Sequence, residues 1–466
     1  MAIDRIKRVV GSKGWIDSPE LMAPYLADWR KRYEGKAALV VRPQSTDELA
    51  EVVRSCAAAK LPIVPQGGNT GLCGGATPDQ AGDAILVSLS RLNRIRAIDG
   101  PNHTITVEAG CVLKQIQETV AEAGYLFPLS LSAEGTCQIG GNLSTNAGGI
   151  TVLRYGNARD MVLGLEVVLP DGQIWNGLRA LRKDNSGYDL KQVFIGAEGT
   201  LGIITAAVLK IYPSPTERAT GFAALNSLEA AVELLARCRR MTGDATTSFE
   251  LLPRAGIDMA LRFVPGAMEP LKERRDYYVL IELTSSAADA GLRARLEATL
   301  SAALDDELIA DATIANSDEQ ARRLWMVRES IVELQKVAGA SIKHDIAVPV
   351  SVVPAFLSAA FKAVQSALPG IRPIAFGHVG DGNIHFNLYQ PENMAAGLFM
   401  SQQELLTRVT HNLVIAHGGS ISAEHGVGQL RRAEIRRYKP AVEIELMRGI
   451  KQAIDPHNIM NPGKVL

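Results

Sequence analysis

The chain has 466 residues, more than the roughly 250–300 at which a single hydrophobic core stops growing, so two or three domains are expected. Its 49 Lys plus Arg balance 50 Asp plus Glu without a run of like charge, which argues against nucleic acid as a partner. The five cysteines form no Cys-x-x-Cys pair, and the first ten residues lack the continuous apolar run of a signal peptide. Reduced thiols in a cytoplasmic protein are the expectation, and not a disulfide framework or a zinc ribbon. The most apolar windows, such as 346–357, are short and broken by Pro349 and Pro354, so no transmembrane segment is expected.

In chain order, residues 38–43 read as a short strand, and Ser45-Thr46-Asp47-Glu48 is a capping box that opens a helix to about Lys60. A strand at 62–65 then leads into Pro65-Gln66-Gly67-Gly68-Asn69-Thr70-Gly71-Leu72-Cys73-Gly74-Gly75. Five glycines in eleven residues suit no packed helix or strand; they give access to positive φ and let the main chain approach a ligand closely. Successive N–H groups in such a loop can form a nest for a diphosphate, to which Asn69 and Thr70 add amide and hydroxyl contacts. The spacing is neither a Rossmann turn nor a P-loop, so a nucleotide is expected in a different grip, with a plain glycine-rich surface loop as the alternative.

Strands follow at 84–90 and 104–108, a helix at 112–123, and a second glycine-rich stretch from Gly135 to Gly149. Two such loops in one α+β unit suggest a long ligand enclosed from both sides. Residues 163–169 and 173–175 form a hairpin around Pro170-Asp171-Gly172, and a third glycine cluster at Gly196-Ala197-Glu198-Gly199 runs into a β-rich segment ended by Pro213-Ser214-Pro215. Beyond it strands are expected at 221–225, 277–283 and 343–350, and helices at 227–241, 287–304, 318–338 and 353–368. Strands with helices on one face fit a ferredoxin-like domain.

Taken together, Pro65 to Gly71, Gly140-Gly141-Asn142, Asn146-Ala147-Gly148-Gly149 and Gly196 to Ile204 resemble the FAD-binding domain of the vanillyl-alcohol oxidase and p-cresol methylhydroxylase superfamily. The second half is similar to the C-terminal domain of FAD-linked oxidases. The resemblance implies an α+β fold in three parts. Residues 1–215 would be a two-subdomain FAD-binding domain of the p-cresol methylhydroxylase type, 216–415 a ferredoxin-like substrate or cap domain, and 416–466 a helical segment returning to the flavin. It further implies that FAD is held by Pro65, Gln66, Gly67, Gly68, Asn69, Thr70, Gly71 and Leu72 around the pyrophosphate. Gly135, Thr136, Gly140, Gly141, Asn142, Thr145, Asn146, Gly149, Gly199, Ile203 and Ile204 would hold the rest of the cofactor, closed by Asn461. These loops contain no histidine, the nearest being His103, so the FAD is expected to be non-covalent.

A second cluster lies in Gly377-His378-Val379-Gly380-Asp381-Gly382-Asn383-Ile384-His385 and in Glu424-His425. Strand alternation alone would put His378 and His385 on opposite faces, but Gly380-Asp381-Gly382 can turn the chain and bring both rings to one point. Two imidazoles and a carboxylate suit a divalent metal, Zn²⁺ first and Mn²⁺ or Fe²⁺ next. The alternative is one hydrogen-bonded core histidine and one surface histidine. His378, His385 and Glu424 match the metal ligands of the D-2-hydroxyglutarate and D-lactate dehydrogenase group, and His425 matches its catalytic base. Arg328 and Lys343, both read as cations in apolar surroundings, match the substrate-carboxylate residues, with Asn383 and Asn387 beside them. Arg328 could instead be a solvated helix residue paired with Glu329 or Glu333. Where the group carries a hydroxyl residue this chain has Val332, which removes one substrate hydrogen bond.

The resemblance implies oxidation of a D-2-hydroxy acid to the 2-oxo acid, D-2-hydroxyglutarate before D-lactate or glycolate. The metal would lower the pKa of the hydroxyl, His425 would take its proton, and hydride would pass to flavin N5. An electron-transfer flavoprotein, a quinone or a cytochrome would reoxidise the flavin, and the assembly is left open between monomer and homodimer. The competing reading is an electron-relaying flavoprotein subunit of a multi-chain oxidase.

Overall fold

The structure is a computed structural model that describes residues 2–334 and 339–466, with the backbone alone for 332–334. The end of the helix expected at 318–338 and the side chain of Val332 lie outside the described residues. The chain divides into two compact units, one of Met1–Gly148, Gly156–Ser214 and Glu424–Leu466, the other of Gly149–Tyr155 and Pro215–Ala423.

The first unit holds two larger sheets and a two-stranded one, Tyr125–Leu126 with Tyr212–Pro213. In one of the larger sheets, Leu39–Val41, Ile85–Ser88 and Ile63–Gln66 are parallel, with Trp15–Ile16 added antiparallel at the edge. Their residues are nearly all buried, so they read as continuous apolar runs instead of alternating ones. The helix Thr46–Ala59 starts where the capping box predicts: the Ser45 side chain accepts the Glu48 N–H. The Glu48 carboxylate reaches back to the Gln44 N–H instead of that of Ser45. The other larger sheet is antiparallel, in the order Ile95–Asp99, Thr104–Glu108, Ile203–Lys210, Val162–Val168, Ile174–Gly177. The C-terminal tail returns to the first sheet, where Ile63 N–H donates to Ile459 O and Asn461 N–H to Ile63 O.

The second unit has a four-stranded antiparallel sheet, in the order Thr246–Pro253, Tyr277–Ser285, Glu217–Leu225, Ile309–Ile314. Helices Leu228–Thr242 and Leu292–Asp305 connect its strands as in a ferredoxin-like fold. The opposite face is not bare, as helices on one face would require. Phe222, Leu252, Tyr278 and Leu280 pack there against Ile257 and Ala260 of helix Arg254–Phe263 and against Leu324, Val327 and Ile331 of helix Asp318–Leu334. The helix expected from 287 begins five residues later, at Leu292.

Beside this sheet lies a three-stranded antiparallel one, in the order Ser341–Ala347, Asn383–Tyr389, Arg372–Phe376. Helical residues 350–367 are long and apolar enough by composition to cross a membrane, which the two prolines had been read to prevent. Pro354 sits in the first turn, where its missing N–H costs nothing. In this unit the helix turns Phe356, Leu357, Ala360 and Val364 into the core, and the Phe356 ring meets Phe386 and His417.

Candidate functional site

The first unit contains a cleft with an empty volume of about 870 Å³, lined by Pro65, Gln66, Gly67, Gly68, Asn69, Thr70, Gly71 and Leu72, by Gly140, Gly141, Asn142 and Thr145, and by Gly199, Ile203 and Ile204. The three glycine clusters therefore meet at one place, and His425 lines the same cleft. Their glycines divide by role. A Cβ on Gly71 or Gly141 would meet nothing within 4 Å, whereas one on Gly68 would fall 2.1 Å from Thr136 O and one on Gly140 2.6 Å from the Ala109 Cβ. The former leave room for a ligand, and the latter let two segments of chain pack. Two buried oxygens in the lining region, Gln138 Oε1 and Asn142 Oδ1, have no hydrogen-bond partner among the described residues, and such atoms in a native structure need an explanation.

Several expected cofactor residues act as braces, Gln66 and Asn69 while also lining the cleft and others from outside it. The Gln66 amide donates to Tyr25 O and Ala76 O, and the Asn69 amide to Ala27 O. Asn146 Oδ1 accepts the Arg159 N–H, Thr136 Oγ1 bonds Ala133 O, and neither residue nor Gly135 lines the cleft. Gly149 belongs to the second unit. Asn461 ties two lining segments together, donating to Gly75 O at 2.9 Å and Glu198 O at 2.7 Å.

Glu198 was read only as part of a glycine cluster. Its carboxylate accepts the N–H groups of Val427 at 2.7 Å and Gly428 at 2.8 Å, and so holds the turn that follows His425. Burial pushes its pKa up, against the pull of those two N–H bonds. The turn is fixed from the other side by Arg431, which donates to Gly426 O at 2.8 Å. Glu424 and His425 lie 3.6 Å apart.

In the second unit the ladder register decides which predicted residues share a face. Lys343 pairs with Asn387, Asp345 with His385 and Ala347 with Asn383, so these side chains project to one side, while Ile342, His344, Ile384, Phe386 and Leu388 point to the other. Lys343 is exposed, contrary to the apolar setting read from its neighbours, whereas Asp345, two residues on and on the same face of the strand, is buried. The Asn383 amide is engaged by Asp345 Oδ1 and Ile346 O, and Asn387 is buried.

Between the two strands, residues 377–382 turn the chain with Gly377 at φ 128° and Gly382 at φ 85°. The turn brings the His378 and His385 rings edge to face, 5.6 Å between centroids. His378 is buried, with Nδ1 2.7 Å from Glu250 Oε1. Arg328 is not a solvated helix residue: it is buried, and its Nε donates to Glu250 Oε2 at 2.7 Å, while the side chain of Glu333, one of the two partners expected on the alternative reading, lies outside the described residues. Its guanidinium lies over the Phe376 ring at 5.3 Å. Burial raises the Glu250 pKa, but the charges of His378 and Arg328 and their hydrogen bonds outweigh it and hold the carboxyl down at about 2. Sequence reading passed over Glu250 because its strand, Thr246–Pro253, was not recognised: its eight residues are all buried, so no polar alternation marks them.

The chain matches the FAD binding domain over residues 37–177 and the FAD linked oxidases, C-terminal domain, over residues 214–465. It therefore belongs to the FAD-linked oxidases, flavin-dependent oxidoreductases, and the open glycines and unpartnered oxygens of the cleft fit FAD as its cofactor. Within that class its relatives include the mitochondrial D-2-hydroxyglutarate dehydrogenase of Arabidopsis thaliana, 35% identical over 100% of this chain and 81% of that one. The D-2-hydroxyglutarate dehydrogenase of Xanthomonas citri pv. viticola is 36% identical over 96% and 93%. A solved structure of p-cresol methylhydroxylase with substrate bound superimposes with a TM-score of 0.74 at 15% identity, covering 100% of this chain and 96% of that one.

Proposed function

We propose that the protein oxidises a D-2-hydroxy acid, D-2-hydroxyglutarate first, to the 2-oxo acid, as the names of its relatives suggest. The observation that carries this is Arg328. A buried guanidinium that spends only Nε on a carboxylate keeps its outer edge, Nη1 and Nη2, without a partner among the described residues. That edge is suited to bidentate binding of a substrate carboxylate. Lys343 and Asn387, cross-strand neighbours on one face, supply a second charge and an amide.

His378 and His385 suit a divalent cation, with Nδ1 of His378 on a carboxylate so that Nε2 is the ligand atom. Glu424 is the third ligand that the family resemblance assigns. A cation there, Zn²⁺ before Mn²⁺ or Fe²⁺, would polarise the 2-hydroxyl and one carboxylate oxygen of the substrate. FAD when bound accepts the C2 hydrogen as hydride. His425 holds the hydroxyl proton at its ring nitrogen. The FAD is non-covalent in this reading: His103 is outside the cleft, and burial pushes the Cys137 thiol up, away from the thiolate.

Anaerobic mixing of the flavin-loaded enzyme with D-2-hydroxyglutarate, D-lactate and their L-enantiomers tests the reading. The D-acids should bleach the flavin, with D-2-hydroxyglutarate fastest. A flavin that stays oxidised with every D-acid, or is bleached as fast by the L-forms, would refute it.

A further inference from the structure

Glu250 belongs to no motif and is not a candidate ligand, yet two functional side chains end on it. Its side chain is 1% exposed, with one oxygen on His378 Nδ1 and the other on Arg328 Nε, both at 2.7 Å. Arg328 comes from helix Asp318–Leu334, and His378 from the glycine turn. That turn is pinned to Glu250's own strand: Leu251 and Gly377 exchange both backbone hydrogen bonds, and Gly380 N–H donates to Phe249 O. Phe376 completes the frame, lying against the Arg328 guanidinium at 5.3 Å and the His385 ring at 5.1 Å.

An ion pair that served stability alone would gain most from a two-pronged contact with the guanidinium. Here the carboxylate takes one prong, and spends its other oxygen on an imidazole. On the reading of His378 as a metal ligand and Arg328 as a substrate-carboxylate group, we propose that Glu250 is the positioning residue that links the two. It fixes the His378 tautomer with Nε2 as ligand atom, and it sets the distance from that atom to the outer edge of Arg328. One carboxylate thereby couples cation affinity to substrate-carboxylate affinity. Partners of this kind behind a metal-bound imidazole are worth about 10–100-fold in metal affinity.

The test is a Zn²⁺ titration by calorimetry of flavin-loaded, metal-stripped enzyme, which needs no turnover. Glu250→Gln should weaken Zn²⁺ by about 10–100-fold and raise KM for the acid, and Glu250→Asp should recover part of each. Because Glu250→Gln leaves the Arg328 charge buried without its carboxylate, the Glu250→Gln/Arg328→Gln double variant is the second arm. It should lose Zn²⁺ affinity by the same factor, while Arg328→Gln alone keeps the parental value. If Glu250→Gln and the double variant bind Zn²⁺ as the parent does while His378→Ala does not, Glu250 is a structural ion pair and the inference fails alone. If His378→Ala also binds Zn²⁺ normally, the metal reading falls and takes the inference with it.

Discussion

Adjacent glycines in the helix Ile139–Ser144 should respond in opposite ways to the same methyl group. Alanine is favoured over glycine inside a helix by roughly 1 kcal/mol, so each substitution begins with that gain. At Gly140 the new Cβ would stand 2.6 Å from the Ala109 Cβ and 3.0 Å from Ala109 O, and overpacking of a rigid neighbour costs about 1–3 kcal/mol. Gly140→Ala should therefore lower the melting midpoint of the flavin-free protein. At Gly141 the Cβ meets nothing within 4 Å of the protein and opens toward the cleft. The flavin-free midpoint should rise, while the same 1–3 kcal/mol of crowding now falls on the bound ligand, or about 5–150-fold in affinity for FAD. Flavin-fluorescence quenching gives the affinity and thermal melts with and without FAD give the two midpoints. A Gly141→Ala protein that binds FAD as tightly as the parent would show that this backbone does not approach the cofactor.

Other outcomes are expected. His425→Ala should slow flavin reduction by about 10²–10⁴-fold with little change in KM, and an unchanged reduction rate in stopped flow would remove it as the base. Chelator treatment should leave the flavin spectrum intact and abolish substrate-driven bleaching until Zn²⁺ or Mn²⁺ is restored, since His378 and His385 lie outside the unit that holds the cleft; full bleaching in metal-free enzyme would contradict the ligand assignment. Acid precipitation should release all flavin to the supernatant, and a yellow pellet would mean a covalent link. Burial lowers the pKa of Lys464 from 10.5 to about 8, so the unfolded chain binds more protons between those values and stability should rise with pH across that window. At about 1.4 kcal/mol per pKa unit the gain is at most about 3 kcal/mol, and Lys464→Met should abolish the rise in chemical denaturation; a rise that survives the substitution belongs to other groups.

What the sequence made legible follows from which forces act locally. Glycine clusters announce themselves because long packed elements seldom carry them, and all three converge on one cleft, the second through the short helix Ile139–Ser144. The Ser45 cap, the Pro170-Asp171-Gly172 hairpin and the turn that joins His378 to His385 are likewise set by residues within a few positions of one another. The exposure of Lys343 and the burial of Arg328 are not local. They depend on how Ser341–Ala347 is placed in its sheet and on helix Asp318–Leu334 packing over Thr246–Pro253, both settled by partners 40 to 80 positions away in the chain.

The two carboxylates that pattern reading passed over, Glu198 and Glu250, solve one physical problem. Each candidate histidine sits on or beside a glycine-rich turn, and glycine leaves a turn free to wander. A carboxylate offers two oxygens, so one buried group can hold two points of such a turn, or a turn and a neighbouring element. Glu198 uses its oxygens on the N–H groups of Val427 and Gly428, just past His425, and Glu250 uses its own on His378 and Arg328. Burying a charge is costly unless it is fully hydrogen-bonded; at Glu250 the bonds and charges that outweigh burial include the one that fixes His378, and at Glu198 the two N–H bonds that oppose the effect of burial hold the turn next to His425. Neither glutamate falls at a ligand spacing or in a capping position, because its partners come from other elements. In each unit the histidine is legible in the sequence, and the group that aims it becomes visible only in the fold.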